Sequence, residues 1–109
     1  MSEPIREATT IHNFQDFLSV LEANLGDLPV EAMNAQGVTD LQNCRTAMSN
    51  TCCHNRVAVL HNCHELYKNF MYSIPDDKEN LAVLQAVLQI TGNAVMIYVD
   101  DILVIDLHN

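Results

Sequence analysis

Apolar residues recur at three- and four-residue steps along most of this chain. Ile11, Phe14, Leu18, Leu21, Leu25 and Leu28 make one run. Leu81, Leu84, Leu88, Thr91, Val95, Tyr98, Ile102 and Ile105 make another. A less regular run passes through Leu41, Cys44, Met48, Cys52, Val59, Cys63, Leu66 and Phe70. Steps of this size place side chains on one face of an α-helix. The pattern predicts an all-α fold, a small helical bundle containing a long antiparallel helical hairpin.

Start and stop residues divide these runs. Thr9 or Thr10 suits a helix N-cap, and the first helix is expected to run to Asn24 or Leu25 before Gly26 and Pro29 stop it. A short helix over 29–35 would turn Val30 and Met33 inward, with Gly37 interrupting it. Thr39 then caps a central helix reaching Ser73, either continuous or kinked at Ser49-Asn50-Thr51, three poor helix formers in a row. Ile74-Pro75 ends it, because the residue before proline leaves the helical region. Asp76 and Glu79 have capping-box spacing and start the last helix. The last two helices are expected to pair antiparallel, with the first packed across them.

The C-terminal stretch supports two readings. Residues 94–99 and 102–105 are rich in β-branched side chains and suit strands, so 94–106 reads alternatively as a hairpin about Asp100-Asp101. Asp-Asp is a poorer two-residue turn than Asn-Gly, and an isolated hairpin is marginal in water. The stripe from Leu81 continues in phase across Gly92, which favours helix. Tyr98-Val99-Asp100-Asp101 with the apolar residues after it resembles the Tyr-x-Asp-Asp hairpin of reverse transcriptases, whose paired aspartates help hold catalytic metal ions. The resemblance covers eight residues. The palm domain and basic template channel of those enzymes have no counterpart in a chain of this length and charge, so no catalytic role is carried over.

The chain has 109 residues, the size of one domain, 1–109, with 1–8 expected to be disordered. Half of it is hydrophobic (49%), Trp is absent and aromatics make 6%, so the core must be aliphatic. Fourteen acidic against five basic residues give a net charge of −9. That charge repels nucleic acid and anionic membranes; its ordinary reading is solubility, and its sharper one a protein partner with a basic face or mimicry of nucleic acid. The polar start Met1-Ser2-Glu3-Pro4 lacks an export signal, and no uninterrupted apolar run reaches the ~18 residues of a membrane span. A cytoplasmic location with reduced cysteines is therefore expected.

Cysteines and histidines gather between Cys44 and His64. Adjacent pairs such as Cys52-Cys53 and Cys63-His64 point about 100° apart on a helix and chelate poorly together. Helical projection puts Cys52, Val59, Cys63, Leu66 and Phe70 on the core face, and His54 and His61 on the polar face with His64 between. The cysteines then act as small hydrophobes. His54, His61 and His64 are the candidate metal ligands, suited to Zn or another transition metal, with Glu65, His12 or a second subunit completing the set. His64-Glu65-Leu66-Tyr67-Lys68 is also faintly similar to the phosphorylated segment of histidine phosphotransfer domains, helical bundles with an exposed His followed by Lys and Gly. Here Asn69 and Phe70 follow the Lys. No Gly-rich phosphate loop, Gly-x-Ser-x-Gly elbow or His-Glu-x-x-His helix is present. The expected function is that of a non-enzymatic helical protein for protein–protein interaction or regulation, without a cofactor. It is expected to associate with itself because the C-terminal stretch is apolar nearly all round. A metal- or cofactor-binding bundle is the alternative, and a phosphotransfer module the third reading.

Overall fold

The computed structural model describes residues 8–52 and 54–108. In chain order its elements are strand β1 (Thr9–Ile11), helix α1 (Phe14–Asn24), a 3-10 turn (Leu25–Asp27), α2 (Val30–Met33), α3 (Gln36–Asn50), α4 (Arg56–Ser73), α5 (Lys78–Thr91), and strands β2 (Val95–Val99) and β3 (Ile102–Leu107). The strands form one mixed sheet in the order β1-β2-β3, with β1 parallel and β3 antiparallel to β2. The fold is therefore mixed α/β, and the all-α prediction fails at both ends of the chain.

Gly92 is where the helical reading breaks. It caps α5 in the left-handed region (φ 69°), and its N–H bonds the Leu88 carbonyl 3.0 Å away, as glycine does at many helix ends. Beyond it, Val95, Ile97 and Val99 alternate with half-buried Met96 and Tyr98 and are themselves fully buried. Nearly every position there is apolar, so a three-four stripe and a two-residue alternation coexist in the same letters. Tertiary partners decide between them. β1 supplies a third strand, pairing Thr9, Thr10 and Ile11 with Val95, Met96 and Ile97, and the hairpin is no longer isolated.

The Asp-Asp turn closes the hairpin despite its poor propensity. Val99 pairs with Ile102, and Asp100 and Asp101 between them both take positive φ (51° and 67°), as a type I′ loop requires. Aspartate tolerates that region better than most side chains. Between Ile97 and Tyr98 the register slips by one residue, leaving Val104 as a bulge on β3.

The helices differ from expectation in detail. Asn13, not Thr9 or Thr10, caps α1: its side-chain oxygen accepts from the Asp16 N–H at 2.9 Å. Asp77 rather than Asp76 caps α5, accepting from Asn80 N–H at 3.0 Å. The central segment is two helices, broken after Asn50 next to the poor helix formers. Val30 is 72% exposed, and Ala32 and Ala35 face inward instead. Cys52 is exposed and Leu66 lies largely at the surface, while Cys44 and Cys63 are buried. Cys53 lies outside the described residues, as does most of the predicted disordered N-terminus.

One core collects Ile11, Phe14 and Phe17 from the N-terminal end, Leu41 from α3, Tyr67 and Phe70 from α4, Val83, Leu84 and Val87 from α5, and Ile97 from β2. α3 packs along α4, whereas α5 makes its main helix contacts with α2 and α1, so the closest helical pair is not the predicted last two. Phe70 meets Phe17 edge-on at 5.1 Å between ring centres. Phe70 also lies directly over Gly37, which stands in the first turn of α3; with Ala35 at its N-cap, that helix begins before Thr39, the expected cap.

Candidate functional site

The β2–β3 turn is brought to the surface of α4. The helix offers His64 and Lys68 one turn apart on one side. The hairpin offers Asp100 at the first loop position. His64 Nε2 and Asp100 Oδ1 hydrogen-bond at 2.9 Å, and Lys68 Nζ lies 3.5 Å from Asp100 Oδ2. Glu65 Oε1 is 3.8 Å from the same ammonium. The hydrogen bond from His64, joined by the charge of Lys68, holds the Asp100 carboxyl below its ordinary value of 3.8 against the opposing effect of desolvation.

One turn from His64, Tyr67 makes the buried counterpart of this contact. Its hydroxyl donates to the backbone carbonyl of Tyr98. The pairing of β1 with β2 ends at Ile97, one residue earlier, so the tyrosine caps the middle strand where its neighbour stops. Burial, with the nearby charge of Asp16, pushes the Tyr67 pKa up and keeps the hydroxyl a donor. The Tyr98 ring itself stacks on His12, 4.9 Å between centres. α4 thus grips the hairpin end by one charged and one neutral contact.

This clasp presents an edge. β3 is the outer strand of the sheet, and among the described residues no strand pairs with its far side. Ile102 is 64% exposed and Leu103 40%. Beside the edge lies an open groove of about 490 Å³, lined by Met71, Tyr72, Ile74, Leu81, Val104 and Ile105. The β3 stretch contains neither lysine nor proline, the residues that usually blunt an edge; its blunting devices are the bulge and Asp106.

The predicted histidines part company. His54 lies exposed in the turn before α4, His61 is exposed on α4, and His64 is engaged by Asp100. No three of the His, Cys, Asp and Glu side chains among the described residues gather around a common point suited to a metal ion. The residues that resemble the Tyr-x-Asp-Asp motif do stand on a hairpin, with Asp100 occupied by His64 and Lys68. The Asp100–His64 contact joins positions 36 apart, and no sequence spacing announces it. The apolar β3 edge did carry a signal, its β-branched run. No helix among the described residues is long and apolar enough to cross a membrane.

Comparison of the chain with protein-family models, with curated proteins and with solved structures gives no match.

Proposed function

We propose that this chain is a non-enzymatic protein–protein interaction or regulatory protein that works through the β3 edge and the apolar groove beside it. The observation that carries this reading is the exposed pair Ile102 and Leu103 on an outer strand, continuous with the groove at Val104 and Ile105. Edge strands offer a row of backbone donors and acceptors, and an added strand satisfies them while pockets take alternate side chains. The polar cluster of His64, Lys68 and Asp100 supports the same reading, because it fixes the hairpin that carries the edge.

The apolar surface on offer for self-association changes with the fold. Read as helix, the C-terminal stretch leaves apolar surface on every side. Folded as strands, its inward residues Val95, Ile97 and Val99 are covered by the chain's own helices. What remains uncovered is narrower, one edge and one groove.

A photo-crosslinking amino acid placed at Leu103, and separately at exposed Ala23 on α1, tests the reading in cells. Covalent adducts of higher mass from position 103 and not from position 23 are expected. Equal yields from both positions, or none from position 103, would overturn it.

A further inference from the structure

We infer that the occupant of this surface is an extended, apolar segment of another protein flanked by lysine or arginine, added beside β3 as a fourth strand. The inference rests on the interaction reading above and names its partner's chemistry.

Charge selects that occupant. Asp101 and Asp106 bracket the apolar residues 102–105 of β3. His108 is 2.7 Å from Asp106, and Asp101 stands exposed at the hairpin tip. The edge is a short apolar strip with an aspartate at each end, on a chain of net charge −9. A second copy would bring the same acids to the same ends. A basic-flanked strand brings opposite charge to both ends, and charges of this kind steer encounter and reject wrong partners.

Shape fits the same occupant. A strand laid beside β3 presents alternate side chains to opposite faces. One set would enter the groove between Met71, Ile74 and Leu81, and the other would face water. Exposed Tyr72 stands at the groove, where an incoming side chain can pack on its ring.

Three short fluorescent peptides test this against the intact chain. The first alternates valine and threonine between paired lysines, the second has the same centre between paired glutamates, and the third keeps the lysines but replaces the threonines by prolines, which cannot complete a strand. Fluorescence anisotropy is expected to show the first binding about tenfold or more tighter than either other, with affinity falling as salt rises. Val104→Pro should weaken that binding about tenfold by blocking the edge; Leu103→Lys, checked by circular dichroism, serves if the proline variant does not fold. Equal binding of lysine and glutamate peptides would overturn the charge argument, and equal binding of the proline peptide would overturn strand addition. A homodimer of the chain alone that Leu103→Lys abolishes would replace this partner by a second copy and leave the interaction reading standing. Failure of all three peptides with crosslinks still forming at position 103 would overturn this partner and likewise leave the interaction reading standing. Failure of both would overturn both.

Discussion

His64 and Asp100 are 36 residues apart in the chain and 2.9 Å apart in space, and their hydrogen bond joins α4 to the tip of the β2–β3 hairpin. The carboxylate titrates below its ordinary value. A depressed folded-state value means that the contact stabilises the fold above the unfolded carboxylate range and is lost as pH falls through the folded value. Asp100→Asn should therefore cost little in acid and more near neutrality, flattening the acid limb of a stability-against-pH curve below about 4. Because the pair is exposed to water, added salt should shrink the difference. Chemical denaturation at several pH values measures both effects, and identical wild-type and variant curves would contradict the assignment.

Asp101 occupies the second loop position with φ 67°. Glycine reaches that region without a Cβ penalty, and the type I′ loop prefers it there. Asp101→Gly should raise stability by about 0.5–1 kcal/mol, read as a higher denaturation midpoint with an unchanged m-value. A lower midpoint would show that the Asp101 side chain makes a stabilising contact.

Gly37 has normal helical geometry, so its role is space. A Cβ there would fall within the ring of Phe70, and Phe70 cannot give way because it is buried against Phe17. Alanine improves helix propensity by about 1 kcal/mol, while overpacking a core costs about 1–3 kcal/mol. With a buried aromatic ring in the way the second effect should win, and Gly37→Ala should lower the thermal midpoint by several degrees. Restoring room with Phe70→Leu in the same chain should recover part of the loss.

Cys44 and Cys63 are buried, and burial, with Cys63 a lesser contributor, pushes the Cys44 pKa up to about 12. A raised folded-state value stabilises the fold fully below the unfolded thiol value of 9.0, and that contribution is lost between there and about 12. Native alkylation at neutral pH should label exposed Cys52 and spare Cys44 and Cys63 until denaturant is added. Mass mapping of the labelled peptides reads this directly. Rapid labelling of Cys44 in native buffer would contradict its burial.

What can be read from the letters depends on how far each contact reaches. α1 and α5 are legible because their stripes, Phe14 to Leu21 and Leu84 to Leu88, are amphipathic within themselves. The break after Asn50 is legible in local propensity. The β2–β3 hairpin is legible only as the alternative reading of 94–106, because Val95 to Leu107 is apolar at nearly every position and suits either period, and the third strand that decides between them, β1, comes from the opposite end of the chain. β1 itself is three residues long, too short for any period to register. His64 stands out in the sequence, but with the wrong companions. Helical spacing points along α4 to His54 and His61, whereas the fold delivers Asp100 from the hairpin.

Amide hydrogen exchange along β3, with and without the lysine-flanked strand peptide, decides whether this strand is an open edge that a partner can extend. The alternate amides of Ile102–Leu107 that do not pair with β2 are expected to exchange quickly in the chain alone and to become protected on binding, while those of β1 stay unchanged. Outer amides already protected in the monomer, or unaltered by a saturating peptide, would contradict the assignment of β3 as an open docking edge.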